Sequence, residues 1–248
     1  MGSGSPFIEL NNIAFTYPGA DNPTLDGLDF SFEKGTKLGL VGHNGSGKST
    51  LFHIIMGLLK PAAGEITIFG KKIQKDADFI EVRRKIGLLF QDSDDQLFCP
   101  TVLEDIAFGP LNMGKSFKDA KKSAQKTLDY VGLSGFENRI TNKLSGGEKR
   151  LIAFAAVLAM EPEVFLLDEP TTGLDEMTKA RMMTVLKELD ASYILISHEL
   201  DFIMDNSNSV CAIKNGRTHD DVGVHFHKHV HAHVHGDEPH KHQENKKA

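Results

Sequence analysis

"GHNGSGKS", residues 42–49, matches G-x-x-x-x-G-K-[ST] and stands between the apolar run "KLGLV" and the segment "TLFHIIMGLL". A strand before the motif and a helix after it are the context in which this pattern cradles phosphate. The glycines let the backbone curl until its N–H groups face phosphate oxygens, and the following helix adds its positive N-terminal end. Lys48 is expected to reach the outer phosphates, and the Ser49 hydroxyl to bind Mg2+. Nucleotide binding follows from this stretch, whereas the kind of P-loop protein does not.

Outward from the motif, short apolar or alternating runs read as strands: "FIELNNIAFTY", "LDGLDFSFE" and "TKLGLV" before it, then "EITIFG", "KIGLLF", "EVFLLD", "SYILIS" and residues 209–214. Helical patterns fall between them, from about Lys48, over 101–132, from about Gly147 to Met160, and over 176–189. Strands alternating with helices predict an α/β core with a mainly parallel sheet. "VFLLDEP" places Asp168 at the carboxyl end of a buried strand, where ligands of such sheets bind. Asp168 is the expected Mg2+ partner, through water, and Glu169 beside it can polarise an attacking water, as a hydrolase requires.

The chain has 248 residues and a formal charge of −6, which argues against a general nucleic-acid binder. Its two cysteines, Cys99 and Cys211, lack metal-type spacing, in keeping with a reduced cytoplasmic protein. The longest apolar run, "LIAFAAVLAM", is about half of the roughly 20 residues a membrane helix needs. "MGSGSP", residues 1–6, reads as a cloning scar and not as a signal peptide.

"LSGGEKR", residues 144–150, opens a helix, and Ser145 with Glu148 fits a Ser-x-x-Glu capping box. A Ser-capped helix start with two glycines is also an anion site, and a second phosphate site suggests presentation to another molecule's nucleotide. At this point the sequence resembles the ATP-binding-cassette (ABC) ATPases over roughly residues 7–217. The resemblance rests on the P-loop, Gln91, the signature at 144–148, "LLDEP" at 166–170, "GLD" at 173–175 and His198 in "ILISHEL".

The resemblance implies a P-loop NTPase with a RecA-like parallel-sheet core, an N-terminal antiparallel β subdomain and a helical signature subdomain at about 92–160, all within 7–218. It implies that Gly42, Asn44, Gly45, Ser46, Gly47, Lys48, Ser49 and Thr50 hold ATP while Tyr17 stacks on adenine, although a core tyrosine is the plain alternative. Mg2+ would be held through Ser49, Gln91 and Asp168, with Glu169, His198, Lys48 and Gln91 as the catalytic set. Two copies would sit head to tail, with Ser145, Gly146, Gly147 and Glu148 on the opposite subunit's ATP and Asp175 at the dimer seam. Many members carry Gln where this chain has Glu148, which puts an acidic group beside the second phosphate site.

A narrower resemblance lies in "FQDSDDQLFCPTVLEDIAFGPLNMG", residues 90–114, which is similar to the ATPase subunits of energy-coupling-factor (ECF) transporters. It implies a docking region for a transmembrane coupling subunit, made by Asp94, Asp95, Gln96, Leu97, Phe98 and Phe108. An acidic edge with apolar anchors suits a helix laid in a groove. ECF importers capture substrate on a separate membrane protein, so the chain would sit on the cytoplasmic face of the membrane.

From about His219 the chain is polar, with too few large apolar residues to fold alone, and reads as a flexible tail over 219–248. In an extended segment, period-two spacing points His225, His227, His229, His231, His233 and His235 to one side. Neutral imidazoles suit Ni2+, Co2+, Cu2+ and Zn2+, so the tail points to metal binding; taken with the ECF resemblance, it points to a nickel or cobalt importer with a metal-binding membrane subunit. Three further readings stay open. The tail could be a purification tag, the chain could power a vitamin or other importer with an incidental tail, or it could be a metal-storage protein with a regulatory nucleotide domain.

Overall fold

The computed structural model describes residues 6–219. In chain order the strands are β1 (Ile8–Phe15), β2 (Leu25–Phe32), β3 (Lys37–Val41), β4 (Ala63–Ile68), β5 (Lys71–Lys72), β6 (Ile86–Leu89), β7 (Val164–Asp168), β8 (Ser192–Ile196), β9 (Ser209–Lys214) and β10 (Arg217–His219). The helices are α1 (Lys48–Ile55), α2 (Phe79–Lys85), α3 (Val102–Asn112), α4 (Phe117–Tyr130), α5 (Gly146–Leu158), α6 (Glu176–Glu188) and α7 (Leu200–Asn206).

Two sheets result: an antiparallel one in the order β2-β1-β4-β5, and a six-stranded one in the order β10-β9-β3-β8-β7-β6. Every pairing from β9 to β6 is parallel, and only the β9–β10 hairpin is antiparallel. The central strands carry near-continuous apolar runs, as at 165–167 of β7 and 193–196 of β8, because both faces are covered. On β7, Val164 and Leu166 face a core shared with the antiparallel sheet, α1 and α2, whereas Phe165 and Leu167 face a second core under α3 to α7. Ile194 and Ile196 divide from Tyr193 and Leu195 on β8 in the same way.

Because β3, β6, β7 and β8 run parallel, their carboxyl ends share one edge of the sheet. The P-loop, Gln91, Asp168–Glu169 and His198 all follow those ends. This edge positions the site.

Three differences from the sequence reading have local causes. The helical pattern over 101–132 is two helices, interrupted at Gly114 (φ 94°), and each is capped: Thr101 with Glu104 opens α3, and Ser116 opens α4. The helices α2 and α7 were not anticipated, because seven residues are too few to show periodicity. The folded part also runs past the expected boundary, since His219 pairs with Ala212 in the terminal hairpin. The expected metal ligands His225 to His235 lie outside the described residues.

A buried carboxylate fastens α3 to the segment ahead of α5. Asp105 Oδ1 accepts from the amides of Phe98 and Cys99, both at 2.9 Å, and Oδ2 accepts from the Thr141 hydroxyl at 2.9 Å. Beside it, Val102 N donates to Arg139 O, Leu103 N to Glu137 O and Thr141 N to Pro100 O. Residues 98–105 and 137–141 are thereby stitched together.

Candidate active site

The P-loop requires glycine where the backbone turns tightest. A Cβ on Gly42 (φ 153°) would meet Ile213 O at 2.4 Å, and one on Gly47 (φ 104°) would meet Leu25 Cδ2 at 2.5 Å. Lys48 folds back over the loop, and its Nζ donates to Gly42 O at 2.8 Å and His43 O at 3.1 Å. Burial pushes its pKa down, while Glu169 and Asp168 oppose that shift. The ammonium is thus held in the loop by two backbone carbonyls. Tyr17 Oη is 3.1 Å from Thr50 Oγ1, and its ring packs edge-on against Phe15 and stays 41 % exposed. That leaves an aromatic face open beside the loop.

Asp168 is buried, and burial raises its carboxyl above the usual range despite a hydrogen bond from Ser49. Ser49, Gln91 and Asp168 line one cavity of about 490 Å³ together with Tyr17, Lys48, Glu169 and His198. One carboxylate, a hydroxyl and an amide oxygen suit Mg2+, which favours few protein oxygens with phosphates and waters completing its shell.

Glu169 adopts φ 49°, a left-handed backbone unfavourable to a residue with a side chain. It is held there from several sides. Its amide donates to Ile196 O at 3.0 Å and Arg150 Nη2 donates to its carbonyl at 2.7 Å. Oε2 accepts from Thr172 Oγ1 at 3.0 Å and from His198 N at 3.3 Å, and Oε1 lies 3.2 Å from His198 Nε2. Strain maintained by this many contacts marks a carboxylate whose aim matters.

The signature stretch stands apart from this cavity. Ser145 caps α5 in a complete capping box with Glu148, and neither residue lines the 490 Å³ space. Gly146 lines an adjoining cavity of about 670 Å³, which shares Ser49, Gln91 and Asp168 with the first. Asp175 caps α6, accepting from Thr178 N at 2.8 Å.

Residues 25–172 match the family model described as "ABC transporter". The chain belongs to the ABC transporter family. This cassette is 43 % identical over 213 residues to the energy-coupling factor transporter ATP-binding protein EcfA of Methanothermobacter thermautotrophicus, covering 84 % of this chain and 68 % of that protein. Among solved structures it is similar to cbiO1 of Clostridium perfringens, part of the ABC transporter complex cbiONQ, with TM-score 0.75, 33 % identity, and 87 % and 88 % of the two chains covered. It is also similar to the dimeric ATP-binding cassette MJ0796 in a post-hydrolysis state bound to ADP and Pi, with TM-score 0.78, 29 % identity, and 86 % and 98 % covered. The cassette is an ATP-hydrolysing transporter subunit with the P-loop ABC ATPase fold. No helix among the described residues is long and apolar enough to cross a membrane.

The expected docking residues divide. Asp94, Asp95, Phe98 and Phe108 are on the surface, and the two phenylalanine rings meet edge to face at 4.8 Å. Leu97 is not an anchor: it is buried in the second core. Gln96 also turns inward, donating to Ala153 O at 3.1 Å and accepting from Phe90 N at 3.2 Å. An apolar side chain in a short irregular segment carries no sequence mark of which way it points.

Sequence reasoning missed Arg150. Its guanidinium is buried and donates to the carbonyls of Phe90, Gln91, Asp168, Glu169 and Pro170. Burial lowers its pKa to about 10, with Asp168 and Glu169 opposing the shift, so the group stays charged at neutral pH. The available signal was a basic residue, second of the pair Lys149 and Arg150, directly ahead of the apolar run "LIAFAAVLAM". Asp105 was likewise passed over.

Proposed function

We propose that two copies of this cassette pair head to tail and power an ECF-type importer of nickel or cobalt ions at the cytoplasmic face of the membrane. The observation that carries the two-chain reading is the half-built site. Tyr17, the P-loop, Gln91, Asp168, Glu169 and His198 share one cavity, while the capped anion site at Ser145 lies outside it. A second copy's Ser145, Gly146 and Gly147 would complete the phosphate shell, with Asp175 near the seam. The dimeric MJ0796 cassette supports that arrangement.

In the complete site Tyr17 stacks on adenine, and P-loop amides and Lys48 hold the phosphates. Ser49, Asp168 and Gln91 hold Mg2+, which supplies positive charge at the outer phosphate oxygens when bound. Glu169 accepts a hydrogen bond from a water whose oxygen attacks the terminal phosphorus as the bond to the ADP oxygen breaks. His198 steadies that phosphate from beside Glu169. Catalysis of this kind is positioning and charge stabilisation.

The relative named EcfA, the likeness to cbiO1 and the exposed Phe98–Phe108 pair support a membrane partner that receives the cassette. Changing both phenylalanines to serine is expected to leave ATP binding intact and to abolish co-purification with membrane subunits, read by pull-down from solubilised membranes. Undiminished capture would rule the surface out.

The choice of nickel or cobalt rests on six histidines at alternate positions from His225 to His235. A chain ending at His219 keeps β10 whole, which a cut before it would not. It is expected to retain ATPase activity and to lose stoichiometric Ni2+ and Co2+ binding, measured by calorimetry. Equal metal binding by the two forms would remove the tail from the argument, and radioactive Ni2+ and Co2+ uptake in vesicles tests the cargo itself.

A further inference from the structure

The anion site at the start of α5 carries a carboxylate of its own. Glu148 Oε2 accepts from Ser145 N at 2.8 Å and from the Ser145 hydroxyl at 2.9 Å, and Glu148 N donates back to Ser145 Oγ at 3.3 Å. The hydroxyl proton that would meet a facing phosphate is therefore committed to Glu148. A full negative charge also offsets the partial positive charge of the helix end. Left alone, Glu148 would repel the nucleotide that this surface is built to meet.

The compensation comes from the preceding loop. Arg139 Nη1 is 2.9 Å from Glu148 Oε1, and the guanidinium lies over the Phe136 ring, 3.7 Å from its centroid. The Arg139 carbonyl accepts from Val102 N at 3.1 Å, so the backbone is anchored as well as the side chain. Lys149, next to Glu148 in sequence, is engaged with Asp94 at 2.6 Å.

We infer that Arg139 is a positioning residue of the nucleotide interface, neutralising Glu148 so that the Ser145 surface can accept the partner's terminal phosphate. This rests on the head-to-tail pairing proposed above. Two roles converge on one guanidinium: it cancels the repulsion, and it draws the carboxylate away from Ser145 when a stronger acceptor arrives. In a chain with Gln at position 148 neither role is required.

The test is ATP-driven dimerisation of the full-length chain, followed by light scattering in the Glu169→Gln background with Mg2+ and ATP. Arg139→Ala, with Arg139→Gln as a second variant and thermal unfolding as the folding control, is expected to weaken dimerisation about tenfold or more, the order expected for like charges brought together. Added NaCl should narrow that deficit, because it screens the exposed repulsion. Adding Glu148→Gln to Arg139→Ala should restore dimerisation. A deficit that Glu148→Gln does not repair makes Arg139 merely structural and overturns the inference, as does dimerisation unaffected by losing Arg139. If the Glu169→Gln parent itself stays monomeric with ATP, the pairing fails and the inference fails with it.

Discussion

Glu169→Gln is expected to lower ATP turnover by about two to three orders of magnitude, as loss of one aligned catalytic group does, and to leave ATP-bound dimers that persist. The substitution preserves the shape of the side chain. Thr172 Oγ1 and His198 N can still donate to an amide oxygen where they now donate to Oε2. The Glu169 backbone, with its amide on Ile196 O and its carbonyl on Arg150, should hold its left-handed conformation. The change therefore removes the negative charge that orients water without dismantling its surroundings. Phosphate release and light scattering measure the two outcomes together, and unchanged turnover would refute the role given to Glu169.

Arg150→Lys should be nearly as damaging by a different route. The guanidinium serves five carbonyls on two segments, 90–91 and 168–170, and joins both to α5. An ammonium has three donors and no planar fork, so at least two buried carbonyls lose their partner. Each unsatisfied group costs about 1–3 kcal/mol. For a loss of about 3 kcal/mol the expected fall in Tm is about 6–12 °C in a domain of this size. Because Gln91 and Glu169 both depend on this residue for backbone position, kcat should fall more than ATP affinity. Thermal unfolding with steady-state kinetics checks both parts, and a fully active, equally stable variant would show that the carbonyls have other partners.

The contrast between these two residues shows what the sequence could yield. Glu169 was legible because it follows an apolar strand within a dense motif, and the chemistry of hydrolysis requires such a group there. Arg150 was not, because its partners lie 18 to 60 positions away and come together only when β6 and β7 pair. The parallel core was readable for a related reason: strands covered on both faces form near-continuous apolar runs, such as "VFLL" and "YILI". Leu97 and Gln96 were misread as surface residues since alternation within a short irregular segment does not say which side is solvent. Short helices such as Leu200–Asn206 are set by packing and have too few residues to show a period.

Asp105 gives the cassette a mechanical property. With one oxygen on the Phe98 and Cys99 amides and the other on the Thr141 hydroxyl, it ties the segment that carries the exposed Phe98 ring to the one that leads into Ser145. On the proposed function, a membrane helix against Phe98 and a phosphate at Ser145 would meet segments joined through this one carboxylate.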